Sequence, residues 1–235
     1  MKARARLTVD ACGLRWRSAA PVVLRPTGGH RIHLVQAAGG PLGGDDLALD
    51  VHLGADCAVQ LRSAAATVVQ AGRSPGPARW AVTASVAQRG VLDWQPEPTI
   101  VCDAAQLHSR ITVALQPGAR AVLREVVVLG RAGQSGGQFT GELAVDLAGS
   151  PLLAHTVLLD GTDPVLTGPA GTGGARVVGM LAVVGEGIGG PARDAGEEPG
   201  LRWACAPLDG PGHLVVALAD RVTTVTRILD HFAAA

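Results

Sequence analysis

The chain has 235 residues, 47% of them hydrophobic and 17% charged, with twenty cations balanced by twenty carboxylates. That composition supplies a sizeable core for one domain, and a neutral balance without basic blocks or aromatic–basic ladders excludes a nucleic-acid binder. Lys2 is the only lysine, and its place at the terminus excludes a catalytic, Schiff-base or phosphate-loop lysine.

In chain order, the opening "MKARARLTVDACG" carries basic residues but no apolar run of signal-peptide length, and no later stretch is long enough to span a bilayer. The expectation is a cytoplasmic protein with no membrane partner. Cys12, Cys57, Cys102 and Cys205 are far apart and form no C-x-x-C. They are expected as reduced thiols buried like small apolar side chains.

Most of the chain reads as short strands. "RLTVD", "LALDVHL", "SRITVAL", "ELAVDL" and "HLVVAL" alternate apolar and polar residues, the period of a half-buried strand, with Gly, Pro and Asp between them. A degenerate repeat runs through the first half. "VHLGADCAVQL" (51–61) matches "VALQPGARAVL" (113–123), and "VAQRGVLDW" (86–94) is a looser copy. Repeated strand–turn–strand units predict a mainly β fold of stacked layers of short strands, solenoid-like or sandwich-like. Residues 185–200, "GEGIGGPARDAGEEPG", read as a mobile surface loop. At the end, Leu218, Val222, Val225, Leu229 and Phe232 recur at steps of four and three, one face of a helix over about 219–232 with Asp220 near its start. The expected organisation is a single domain over 1–235, strand-rich to 218 and closed by that helix.

Four short motifs invite a catalytic or cofactor reading. "GEGIGG" (185–190) fits G-x-G-x-x-G, but no helix follows to meet a pyrophosphate with its N-terminal amides. "GRSPG" (72–76) fits G-x-S-x-G, but Pro75 has no N–H for an oxyanion. "GQSGG" (133–137) lacks that defect, yet glycines stand where a helix should begin, so a glycine-rich hairpin is expected. "HRIH" (30–33) sets two histidines on opposite faces of a strand, which makes a poor metal pair. Two other classes remain open from these residues: a strand-rich serine hydrolase using Ser135 with His155 or His213, and a β-solenoid carbohydrate-binding module.

"GGPLGGDDLALDVHLG" (39–54) reads as a tight turn entering a strand, its paired glycines permitting positive φ and close backbone approach. Asp45 either caps that turn's amides or offers a carboxylate at an interface or on a metal path. The same stretch resembles the G-G-x-x-G-G-D-x-L segment of the urease accessory protein family UreD, also called UreH. Three further segments resemble that family in its order: "RSAAATVVQ" (62–70), "GVLDWQPEPTIVCDAA" (90–105) and "VVVLGRAGQSGGQFTGEL" (126–143). The family's Lys and Tyr of the second segment are here Val68 and Gln70, Pro98 takes the place of an acid in the third, and Gly137 and Gln138 stand near the acid of the fourth.

The resemblance implies a strand-rich fold ending in helix and a non-enzymatic part in assembling urease's nickel centre. It implies binding to apo-urease subunits and to UreF, and through UreF to the GTPase UreG. It implies no stably bound cofactor, with transient nickel passing through the protein. The motif residues carried over as partner-binding are Gly39, Gly40, Gly43, Gly44, Asp45, Trp94, Pro96, Glu97, Gly130 and Arg131, and the candidates along a nickel route are Asp45, Glu97 and Glu125.

Overall fold

In the computed structural model, which describes residues 1–72, 74–188 and 194–233, the three sequence repeats are successive rungs of a solenoid. Each runs along one sheet, turns a corner and continues in a second sheet: β5 (Asp46–Leu53) into β6 (Ala58–Ser63), β8 (Ala78–Val86) into β9 (Val91–Trp94), and β11 (Gln106–Leu115) into β12 (Arg120–Leu129). Equivalent strands stack in parallel, β5–β8–β11 and β6–β9–β12.

The corners explain why so degenerate a repeat still folds alike. Each is a four-residue turn closed by Cys57 N–H to Gly54 O (3.3 Å), Gly90 N–H to Ala87 O (2.9 Å) or Ala119 N–H to Gln116 O (3.0 Å). The third residue of each lies in the left-handed region, at φ 58° for Asp56, 56° for Arg89 and 76° for Gly118, as a type II turn requires. Asp56 and Arg89 form an ion pair between neighbouring corners at 2.6 Å. The corners are stitched further by Asp56 N–H to Gln88 O and Arg89 N–H to Pro117 O.

Flanking strands extend both sheets. In the seven-stranded first sheet, β1 (Lys2–Asp10) adds in parallel to β5 and β2 (Gly13–Arg17) closes that edge antiparallel. At the other edge β13 (Gln138–Leu147) adds in parallel to β11, and β14 (Ser150–Asp160) returns antiparallel. The eleven-stranded second sheet begins with β3 (Val22–Gly28) and β4 (Arg31–Gln36). Beyond β12 it continues antiparallel through β15 (Val177–Gly185), β18 (Gly212–Ala219), β17 (Leu201–Pro207) and β16 (Asp194–Glu198). Two short strands, β7 (Thr67–Val69) and β10 (Thr99–Val101), pair with each other, and β10 also pairs with the far half of β12. A four-residue helix, α1 (Pro164–Thr167), lies between β14 and β15.

Leu47, Leu49, Val51, Leu61, Leu92 and Leu123 of the facing sheets form the largest core. The outer face of the second sheet is covered by α2 (Val222–Ala233), whose Val225, Leu229 and Phe232 are buried. This cover is why every residue of β15 is buried, giving a continuous apolar run in place of alternation. Gly179 of β15 lies under the helix, where a Cβ would come within 2.2 Å of Val225 Cγ1. No helix among the described residues is long and apolar enough to cross a membrane.

Four expectations need correction. Leu218 belongs to β18 and the helix starts at Val222. Residues 194–198 are strand β16, paired with β17 from Asp194↔Cys205 to Glu198↔Leu201, so 185–200 is not loop throughout; residues 189–193 lie outside the described residues. "GQSGG" is no hairpin, because it carries the chain from β12 in one sheet to β13 in the other. Cys102 and Cys205 are buried, but Cys57 is half-buried and Cys12 exposed, since the last two sit at turns on the rim.

Candidate functional site

The second sheet is interrupted twice at the same level. Residues 64–66 separate β6 from β7, and residues 95–98 separate β9 from β10, while β12 runs past both gaps without a break. Ser63 ties the two interruptions together: its Oγ accepts the Glu97 N–H (2.8 Å) and donates to the Ala65 carbonyl (3.0 Å). Behind them Arg62 and Asp93 form a two-pronged ion pair at 3.0 and 2.7 Å. A cavity of about 330 Å³ opens at this gap. Residues 39–41 and 64–66, with Pro96 and Glu97, line its mouth, and Trp80, Trp94, Ser109, Ile111 and Glu125 its depth.

The inner end is chemically unusual. Along β12 the inward phase is Ala121, Leu123, Glu125, Val127 and Leu129, so a carboxylic acid occupies a core position. Ser109 of β11, 2% exposed, donates its Oγ–H to Glu125 Oε1 at 2.5 Å. Burial pushes the Glu125 carboxyl up to about 7, and the Ser109 hydrogen bond, which favours the ionised form, only partly opposes this. The residue keeps some accessible surface despite its position between the sheets, because it borders the cavity. Trp94 is 3% exposed and its Nε1 donor has no protein partner.

Two further cavities adjoin the first. A small one of about 10 Å³ shares Ile111 and Glu125 with it and adds Leu123, Leu143, Met180 and His155. A third, of about 230 Å³, shares Ile111, Leu143 and His155 with the second. It opens on the outer face of the first sheet beside Arg110 and Glu142, an ion pair at 2.5 Å. His155 Nε2 is buried without a partner, and burial lowers the imidazole's pKa. From the gap in one sheet to the face of the other, the polar side chains met in order are Glu97, Ser109 with Glu125, His155, and Arg110 with Glu142.

The motif residues fall into three groups. Gly39, Gly40, Trp94, Pro96, Glu97 and Glu125 line the same cavity. Gly43, Gly44 and Asp45 instead build a corner. A Cβ on Gly43 would come within 3.1 Å of Gly72 N and Gly76 O, and Gly44 adopts φ 82°. The Asp45 carboxylate accepts the Leu42 N–H at 2.9 Å and pairs with the Met1 ammonium, while Asp45 N–H bonds Leu42 O. That is the turn-capping arrangement. Gly130 and Arg131 lie further along the same row of corners, between β12 and β13, where Gly130 N–H bonds Val101 O and Arg176 holds the carbonyls of Leu129, Arg131 and Gln134. Ser109 and His155 carry no motif. The signal that marks them is a polar residue in the inward phase of an alternating strand, between Leu107 and Ile111 or between Leu153 and Val157.

The residues of the other two classes do not meet. Ser135 is exposed on the 130–137 loop, His155 lies inside the sandwich, and His213 is fully buried with Nε2 facing the Phe232 carbonyl at 3.3 Å. The tryptophans share no sugar-binding platform: Trp80 and Trp94 line the cavity, while Trp16 and Trp203 are on β2 and β17. Among the described residues, no group of three or more His, Cys, Asp or Glu is placed to hold a metal ion.

Fold and site together define a two-sheet β-solenoid protein with an internal acid reached through a gap in one sheet. A sequence model described as UreD urease accessory protein matches residues 10–235. The chain is 45% identical over 218 residues to a urease accessory protein UreD of Frankia alni, covering 86% of this chain and 72% of the relative. It is 36% identical over 281 residues to that of Frankia casuarinae (98% and 88%) and 38% identical over 268 residues to that of a Parafrankia species (99% and 88%). The chain belongs to the UreD family of urease accessory proteins.

Proposed function

We propose that the protein acts in urease maturation as a non-catalytic scaffold in the cytoplasm, joining apo-urease to UreF and, through UreF, to the GTPase UreG. Nickel is the cargo of that assembly and moves through this chain without a resident site. The observation that carries the reading is the string of adjoining cavities with Glu125 and Ser109 at its centre. A conduit for Ni²⁺ needs weak, dispersed oxygen and imidazole donors, because a thiolate or multi-histidine cage would trap the ion. Glu97 at the mouth, Glu125 with Ser109 inside and His155 beyond have that character, while Asp45 holds its turn.

The test is nickel content. Urease assembled with Glu125→Leu should contain several-fold less nickel per active-site pair than with the natural chain, while the accessory complex purifies with unchanged stoichiometry. Full nickel content in that variant would sink the conduit. The non-catalytic part is tested separately: stoichiometric binding of GTP or NAD, or turnover of a simple ester, by the pure protein would count against it.

A further inference from the structure

α2 covers the outer face of the second sheet, but no described helix packs on the outer face of the first between β2 and β11. We propose that this bare face docks an acidic surface of a partner protein. The inference rests on the scaffold reading and adds the place of contact.

Cross-strand register puts its residues side by side. Paired residues of neighbouring strands point to the same face, so Arg17 stands beside Arg6, Arg6 beside Asp50, and Asp50 beside Thr83. One rank along, Arg4, Ala48, Ala81 and Arg110 form a row, and Asp46 separates Lys2 from Arg79. On this half of the sheet Lys2, Arg4, Arg6, Arg15, Arg17 and Arg79 therefore stand against Asp10, Asp46 and Asp50 alone.

The exposed charge is more positive than that composition. Asp50, with its side chain 12% exposed, sits beneath Arg4 and Arg6, which remain 65% and 63% exposed and approach it at 2.7 and 3.8 Å. One sunken carboxylate thus serves two projecting guanidinium groups. Lys2, Arg17 and Arg79 have no ion-pair partner among the described residues. Between the cations the floor is small, with Ala48, Ala81, Thr83 and Thr112, so a helix or loop can lie close to the sheet while its carboxylates reach the arginines.

Charge also selects the occupant. A second copy related by a two-fold axis would set these cations against their own equivalents, which costs affinity. A nucleic-acid strand would find no Trp or Phe in the outward phase of these strands to stack on, His52 being held by Ser85 at 2.8 Å, and would meet Asp46. An acidic protein surface meets neither obstacle. It would also lie next to the Arg110–Glu142 end of the cavity series, which opens on this face.

The experiment uses the full chain with its cognate apo-urease and UreF as separate binding probes. Arg17→Glu with Arg79→Glu, both cations free of structural pairs, should weaken binding to one of the two probes by tenfold or more. The melting temperature should stay the same, and Arg17→Lys with Arg79→Lys should keep the affinity. Binding of the natural chain to that probe should fall steeply between about 0.01 and 1 M salt, as the screening length shrinks from about 30 to 3 Å, and the variant's dependence should be shallower. If the double variant melts early, Thr83→Glu on the exposed floor is read in the same way. Undiminished binding to both probes by a folded variant overturns the docking face and leaves the scaffold intact. Failure of the natural chain to bind either probe, or its preference for phosphatidylglycerol vesicles or RNA, overturns both.

Discussion

The hydroxyl of Ser109 and the carboxyl of Glu125 meet at 2.5 Å across the interior, one from each sheet. An acid in a core position is costly unless it is neutral or hydrogen-bonded, and here a single donor serves it beside a cavity. The arrangement holds Glu125 near the balance between its two protonation states at neutral pH.

Glu125→Gln should therefore change stability in a pH-dependent way. The folded-state pKa of about 7 lies above the ordinary 4.5, so between those values the folded state binds more protons than the unfolded state and stability falls as pH rises. Below the lower value the acid is protonated in both states and its penalty vanishes. The variant should melt close to the natural chain near about pH 4 and above it near about pH 8. The difference saturates at roughly 3 kcal/mol, from about 1.4 kcal/mol per pKa unit. Paired melting curves across that range check it, and a constant offset would mean that Glu125 titrates normally.

Much of the solenoid was legible because its corners obey one local rule. "GADC", "AQRG" and "QPGA" share little identity, yet each places at its third position a residue held at positive φ, and alternation on either side fixes which face is buried. The helix was legible for the same reason, its apolar steps matching Val225, Leu229 and Phe232. Strand β16 was not, because "DAGEE" has no apolar alternation and is held only by pairing with β17. Nor was the site: a strand motif does not show that Ser109 and Glu125, separated by a corner, face each other from opposite sheets. The grouping of Gly39, Gly40, Trp94, Pro96 and Glu97 around one cavity also needed the parallel register, which a single sequence leaves open.

The corner rule makes its own prediction. Gly118 adopts φ 76°, and a Cβ there would come within 3.0 Å of Arg89 Cγ in the neighbouring corner. Gly118→Ala should cost about 1–2 kcal/mol from left-handed backbone strain, with a further loss if Arg89 must move away from Asp56. The melting temperature of Gly118→Ala, compared with Gly118→Asn, checks the cause: Asn tolerates this region and should recover part of the loss.

The seat of α2 rests on a missing side chain. Gly179→Ala places a methyl 2.2 Å from Val225 Cγ1 and 2.8 Å from Leu229 Cδ1, an overpacking that costs about 1–3 kcal/mol. Leu229→Ala empties the same contact and should cost about 2–5 kcal/mol. Both should expose the segment before Val222 to limited proteolysis while leaving the solenoid folded. Equal protease resistance in all three proteins would mean that the helix is held chiefly by the ion pair of its Asp230 with Arg124 of β12, at 2.7 Å, and by its connection to β18.

Asp45 and Glu97 come from the two clearest motif segments, yet their surroundings assign them opposite behaviour. Asp45 is 6% exposed and accepts the Leu42 amide within its own turn, so Asp45→Ala removes a cap and should cost about 0.5–2 kcal/mol. Soluble protein and urease activation should then fall together, with activation per assembled complex unchanged. Glu97 is exposed at the cavity mouth, and its hydrogen bond to Ser63 is made by the backbone N–H, not by the carboxylate. Glu97→Ala therefore keeps the link between the two sheet gaps and should leave the melting temperature unaltered. If nickel enters at this mouth, the same substitution should lower nickel per assembled urease. The pair of variants separates the two roles when melting temperature and nickel per complex are both measured. A Glu97→Ala protein that melts normally and delivers full nickel would remove the mouth carboxylate from the route, and an Asp45→Ala protein that melts normally but delivers less would place Asp45 on it.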